Sequence, residues 1–539
     1  MGKMHRSGRR REEQDRENGW EIVREAGTEL YLFLMLAVYP LFLVNGYSDL
    51  VYKKWELFLY ASALFLLMSV VCAVGIIVSG KKSRVGSEKK IRVGMTISFL
   101  SGTDWFVIVY LICAVISYIG AVDQQIGLWG VDTWYMGLIS QILFVGIYFG
   151  ISRGYSENKY IALLMTLVGI IVNSLVIFQR FGFNVFHLYD GYGDDVKLDF
   201  VTTLGQVTWS SSYISILLVA IMGIYYLTKD RKQKIFWGIS MGIGFASEIL
   251  LNCDSGVIAL LVAWMIMLWM ALGSRERMLT LLETVLIALT TTAVVGIPER
   301  MFAHRMIPID AIYLKVAQSP LIYLVLVLVF LVYLLIRSNR IPVGTNRRGV
   351  CILKGIYIVL VCLGIVGIAV LFILHEKNYF VGSPSENYFR FTIWWGNSRG
   401  FIWRTGAAVF ADFDIWRKLF GCGPDCFTPY AYELMGEAID EFWHNQIVPN
   451  VHNEWFNALI NYGIVGGMAY LGIFVSAAWA FMRKAVNDVK DTMDKALLFG
   501  TGLAAAGYVA HNVLCYQQII GTPLIFVLLG IGAAIGRRR

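Results

Sequence analysis

Apolar runs separated by short polar stretches recur from residue 28 to the carboxy-terminal end of the chain. A helix rises about 1.5 Å per residue, so roughly 20 apolar residues cross a hydrocarbon core about 30 Å thick. Windows of that length place about 14 spans. They fall near 28–45, 57–79, 105–121, 133–151, 160–178, 208–228, 235–251, 256–272, 279–296, 319–336, 351–374, 454–481, 496–515 and 522–536. The pattern predicts an all-α polytopic integral membrane protein. Two polar intervals exceed what a connection requires, residues 180–207 and residues 375–453, and connections of that length carry function or lack order. The second is rich in aromatics (IWWGNSRGFIW, DIWRKLF, YAYELM, EFWHN), which argues against disorder and predicts short amphipathic helices on the outer membrane face. The expected organisation is a tail over 1–27, spans 1–11 over 28–374, the large outer loop over 375–453, and spans 12–14 over 454–539.

Composition agrees with the pattern. The 539 residues are 57% hydrophobic and 16% charged, too little charge to cover a soluble domain of this size. A net charge of +8 invites a nucleic-acid reading, but the basic residues sit in clusters between apolar runs. These are Lys81, Lys82 and Arg84 with Lys89, Lys90 and Arg92; then Arg231, Lys232 and Lys234; then Arg337, Arg340, Arg347 and Arg348; then Arg537 to Arg539. With the amino-terminus inside, every cluster falls on the cytoplasmic side, where positive charge collects. Residues 122–132, without Lys or Arg, fall outside, and both termini are cytoplasmic. Lys53 and Lys54 on the first outer loop are a small violation. The head MGKMHRSGRRREEQDRENGW is too long and too charged for a cleaved signal peptide and reads as a cytoplasmic tail.

Several polar residues on the outer side have both a structural and a chemical reading. Arg399 and Arg404 either snorkel to headgroups or hold phosphate or carboxylate through paired hydrogen bonds. His452 and Asn453 stand where the twelfth span begins, and a lone histidine there is commonly an interfacial anchor. Gly463 and Gly466 serve close helix packing. Glu248 and Asp254 are costly against lipid; they either contact substrate hydroxyls or pair with an external arginine. Cys422 and Cys426 lie on the oxidising face and pair only if the geometry of the turn between them allows it.

Taken together and in order, these residues resemble a known family. Arg399 with Trp403 four residues on, a Gly421-x-Gly423 turn near Phe427, and His452-Asn453 followed after nine residues by Gly463-x-x-Gly466 resemble the O-antigen ligase and polymerase superfamily. The resemblance implies a GT-C-like fold in the bacterial cytoplasmic membrane. It implies metal-independent, inverting glycosyl transfer without a cofactor, from a polyprenyl (undecaprenyl) diphosphate-linked glycan. The acceptor it implies is a hydroxyl on a glycan, lipid, wall polymer or protein, in surface polysaccharide assembly; the partners are these substrates and the lipid bilayer, not nucleic acid. It assigns Arg399 and Arg404 to the diphosphate and His452 to the acceptor, with Asn453 orienting the histidine or capping the helix. Gly421, Gly423 and Trp403 fall on the substrate side. The family's Ser-Arg-Gly at a mid-chain span mouth has only Ser255 and Gly256 here, with Asp254 beside them, so Arg180, Arg300 and Arg305 stand as candidate substitutes. His511-Asn512 in the penultimate span is similar to a polar site of such proteins. Competing readings are a lipid-linked oligosaccharide flippase, and a cell-wall polymerase of the shape, elongation and division type using Asp412, Asp414 or Asp425.

Overall fold

The computed structural model describes residues 19–83, 100–158, 160–193, 196–302, 305–307, 312–344, 346–383, 385–444, 447–487 and 493–538. Most of the amino-terminal tail, Arg84, Lys89, Lys90, Arg92 and Arg539 lie outside the described residues. The chain forms α1 (residues 19–41), α2 (Leu50–Ser83), α3 (Gly102–Ile119), α4 (Gln124–Trp129), α5 (Leu138–Gly154), α6 (Ile161–Arg180), α7 (Val207–Leu227), α8 (Arg231–Leu251), α9 (Asp254–Ala271), α10 (Arg275–Met301), α11 (Ile312–Gln318), α12 (Leu321–Arg337) and α13 (Arg347–Glu376). The large loop adds α14 (Glu386–Phe389), α15 (Trp395–Asp412), α16 (Ile415–Phe420) and α17 (Phe427–Trp443). Then come α18 (Glu454–Asn487), α19 (Met493–His511) and α20 (Thr522–Arg537). Phe200–Val201 and Gly205–Gln206 form a two-stranded antiparallel hairpin.

Nine helices among the described residues are long and apolar enough to cross a membrane, ten if α11 and α12, bent by 72°, form one span. The protein is therefore an all-α polytopic membrane protein. Each expected segment falls on a helix, but the count by length and composition stops short of 14, because α5 and α20 are shorter apolar helices and α1 and α19 are not in it. The boundaries also move. The second span begins at Leu50, which draws Lys53 and Lys54 into the helix. Lys54 is fully buried, and its Nζ donates to Tyr39 O at 2.7 Å and Pro40 O at 3.3 Å. Its charge lies on the last carbonyls of α1, where a cation complements the helix dipole. Lys53 pairs with Glu56 at 2.7 Å.

Burial sorts the helices. α7 is buried over almost its whole length and packs on α8, α9 and α19. α20 is buried from Thr522 to Ile535. By contrast, His375 is the only buried residue of α13. A helix that is apolar all round and uncovered by protein belongs against acyl chains. At the end opposite the large loop, Arg537 meets Asp104 at 2.5 Å and Arg538 meets Asp494 at 2.6 Å, which ties α20 to α3 and α19. The loop has a core of its own, centred on Ile402, Val409, Phe413, Phe427, Ile439 and Val451, so it is a folded cap rather than a slack connection.

Candidate functional site

A short irregular segment leads into α18, and side chains bonded to nearby backbone set its shape. Thr428 donates its hydroxyl to Val448 O and Pro449 O, both at 3.0 Å. Asn450 Oδ1 accepts the His452 amide at 2.9 Å. Asn453 Oδ1 accepts the amides of Trp455 and Phe456 at 3.1 Å, so Asn453 caps α18 and satisfies donors that a helix start leaves free. His452 stands between them at φ +52°, a left-handed conformation uncommon outside glycine. Its ring packs in a T against Tyr516, with 4.9 Å between centroids. Nδ1 lies 3.3 Å from Asn450 O. A carbonyl only accepts, so Nδ1 carries the hydrogen and Nε2 keeps its lone pair. Burial, and next the positive charge of Arg399, push the imidazole pKa down to about 4. The ring is neutral at pH 7.

Arg399 comes from α15. Gly396, Asn397 and Ser398 are left-handed and swing the chain just before it. Its guanidinium donates to Gly396 O at 2.7 Å and Leu514 O at 2.8 Å, and its buried Nε has no partner. A cavity of about 490 Å³ opens beside it, with Asp254, Glu386, Arg390, Trp394, Trp395 and Leu514 in its lining. Asp254 directly precedes Ser255, so the mouth of α9, where the resemblance expects an arginine, shares a cavity with Arg399. Trp403 packs on Trp395 and Phe391 behind it.

The other arginines sit elsewhere. Arg404 is exposed, donates to Phe391 O at 2.8 Å and lies over the Phe391 ring. Arg300 bonds Gly296 O and Tyr323 Oη, and Arg305 is exposed. Arg180 is in a buried pair with Glu299 at 3.1 Å. None of these four lines the cavity. Among the described residues neither Glu248 nor Asp254 pairs with an arginine: Glu248 accepts from Ser211 at 3.0 Å, and Asp254 accepts the Tyr313 hydroxyl.

The Gly421-x-Gly423 turn docks into a break in α18. Gly421 (φ +84°) and Gly463 (φ +69°) are both left-handed. A Cβ on Gly421 would lie 2.2 Å from Asn461 O, and one on Gly463 2.2 Å from the Leu419 carbonyl carbon. The amides of Cys422 and Gly423 donate to Ile460 O at 3.1 Å and Asn461 O at 3.3 Å. The element admitted at Gly463 is thus α16 of the loop itself, whereas Gly466 faces Cys113 of α3. Cys422 and Cys426 are buried free thiols, and burial pushes the Cys426 pKa up to about 12. Hydrogen bonds to α18, not a disulfide, brace this turn.

Beneath the site the structure joins residues that are far apart in sequence. Ser255 Oγ lies 3.0 Å from His511 Nε2, and His511 Nδ1 lies 2.7 Å from Asn512 Oδ1. Asn512 Nδ2 donates to Glu454, whose carboxylate also accepts Tyr470 Oη at 2.5 Å and Tyr508 Oη at 2.8 Å. The connection between α19 and α20 is therefore the floor of the site: Leu514 holds Arg399 and Tyr516 holds His452. Sequence reasoning missed Tyr516, Leu514 and Glu454; a charge-free Asn/Gln/Tyr segment between two spans was the one available signal. Asp412 accepts Tyr430 Oη at 2.8 Å, Asp414 caps α16, and Asp425 accepts the Val131 amide at 2.7 Å. All three serve local structure, and none lines the Arg399 cavity.

Residues 306–471 match the family model described as O-antigen ligase, which bears out the resemblance read from the motifs. The match holds Arg399, the Gly421 turn, His452 and Gly463, while Ser255 and the floor at 512–521 lie outside it. No curated protein matches the chain.

Proposed function

From a chain that carries an O-antigen ligase family domain over residues 306–471, we propose a membrane glycosyltransferase. It moves a glycan from a polyprenyl diphosphate to an acceptor hydroxyl on the outer face of the bacterial cytoplasmic membrane, with both termini inside. One observation supports this reading above the others: the connection between α19 and α20 holds the Arg399 guanidinium at Leu514 and the His452 imidazole at Tyr516, two residues apart. The two halves of the transfer need these two groups. The acceptor oxygen loses its proton to His452 Nε2 and bonds to the anomeric carbon. The bond from that carbon to the diphosphate oxygen breaks, and the electron pair leaves with the diphosphate, whose charge Arg399 stabilises. Attack opposite the leaving group inverts the anomeric centre.

The test is product formation by purified protein in nanodiscs, given the cell's own lipid-linked glycan and acceptor. His452→Ala should lose about 10²–10⁴-fold in kcat/KM, and Arg399→Ala about 10²–10³-fold. Full activity in both variants rules the assignment out. Translocation of lipid-linked glycan across vesicles with no bond formed means a flippase. In a deletion strain, long polymer accumulating on the lipid marks a ligase; single units still attached to acceptor mark a polymerase.

A further inference from the structure

A second cavity, of about 660 Å³, lies between the α3–α5 connection and α17. Its wall includes Asp123, Gln125, Trp129, Asp132, Tyr135 and Thr428. Like the Arg399 cavity it has two carboxylates and aromatic rings in its lining, and its charge is what sets it apart. Among the described residues its lining has two carboxylates and no lysine, arginine or histidine, so a diphosphate there meets like charge. It also has an aromatic wall: Trp129 is 42% exposed and is backed edge-on by Trp55, which stacks on Tyr135 at 4.6 Å.

The walls are tied to each other rather than merely adjacent. Asp425 is buried in the turn before α17, and its Oδ2 accepts the amides of Val131 at 2.7 Å and Met136 at 3.3 Å. The Val122 amide donates to Cys422 O at 3.0 Å. A cavity fixed in this way offers its groups without a further ordering cost. Asp123 and Asp132 each use Oδ1 for local bonds, and the carboxylates are acceptors for hydroxyl or ammonium donors. The negative face of an aromatic ring suits the weakly positive C–H face of a pyranose. Thr428, in the wall, is bonded to Val448 and Pro449, and four residues of chain span at most about 14 Å. The cavity therefore lies within a short oligosaccharide's reach of His452.

We infer that this cavity is a subsite for a sugar of the acceptor, neutral or amino-bearing rather than acidic. The inference rests on the transferase reading for the word acceptor, but its test is direct binding. Protein in nanodiscs is titrated with chitotetraose, its de-acetylated amine form, and tri-galacturonate, followed by saturation-transfer NMR. Saturable binding of either of the first two but not the third is expected, and Trp129→Ala and Asp132→Asn should each weaken it at least ten-fold. Binding unchanged in both variants, no binding of the neutral and amino sugars, or preferential binding of tri-galacturonate overturns the subsite. Activity separates the two ideas. Binding as expected with no product sinks the transferase and keeps a glycan site; product formed with an unchanged acceptor KM in both variants sinks the subsite and keeps the transferase.

Discussion

His452 owes its character to its surroundings, since an exposed histidine titrates near 6.5. Burial and Arg399 lower the folded-state value to about 4, so folding disfavours its protonation. The sign follows: the stabilising effect of the neutral ring is complete above pH 6.5 and is lost as pH falls through about 4. The acid limb of kcat/KM is expected to centre near 4; a limb at 6.5 means the imidazole is solvated and the geometry is wrong. Asp425 shifts the opposite way, with burial raising its carboxyl to about 6 despite the Val131 and Met136 amides. The folded protein therefore holds that proton more tightly than the unfolded chain, and the associated stability, full below pH 3.8, is lost as pH rises through about 6. Asp425→Asn keeps an acceptor oxygen and removes the charge, so at pH 8 it should melt no lower than wild type. Asp425→Ala orphans buried amides and should cost about 1–3 kcal/mol. Equal melting of the two variants at pH 8 refutes this account of the turn.

The critical elements are α16 and the break in α18. α18 could not run unbroken through Gly463, because the Leu419–Phe420 backbone occupies the space a side chain would fill. Substitution by alanine adds a Cβ inside contact distance and places it on a left-handed backbone, each of which is costly. Gly463→Ala should therefore lift the loop off α18, lower activity at least ten-fold by displacing His452 and Arg399, and expose residues 413–444 to protease while the spans stay folded. Unchanged protease resistance and activity would show that the docking is incidental. The motif's glycines were visible in sequence as a spacing, but their reason was not. Periodicity reports which face of a helix is apolar; it carries no information on a backbone approach between Leu419 and Gly463.

For the whole molecule, the large loop, the 180–207 interval and the α19–α20 connection gather at one end, and the Asp104–Arg537 and Asp494–Arg538 pairs at the other. By the proposed topology the end with the basic clusters faces the cytoplasm, as the positive-inside rule expects. With native cysteines replaced, His187→Cys and Trp416→Cys should react with a membrane-impermeant maleimide in intact cells, and Ser338→Cys only after permeabilisation. The reverse pattern inverts the topology and moves the site to the wrong face for the proposed reaction.

Run length and charge placement by themselves determined that this is a many-span helical membrane protein with one long aromatic loop, because the bilayer imposes a fixed apolar length and a charge asymmetry that sequence displays directly. Motif order picked out Arg399 and His452 as a pair. Tertiary structure alone decided that Asn453 caps a helix, that Arg180 is already taken by Glu299, and that Arg404 bonds the Phe391 carbonyl and is not in the cavity lining. It also decided that Leu514 and Tyr516 hold the two central residues, and that Ser255, His511, Asn512 and Glu454 form one hydrogen-bonded chain. These contacts join α9, α18 and α19, with Ser255 and His511, a bonded pair, 256 residues apart, and depend on helix packing rather than on any local pattern of residues.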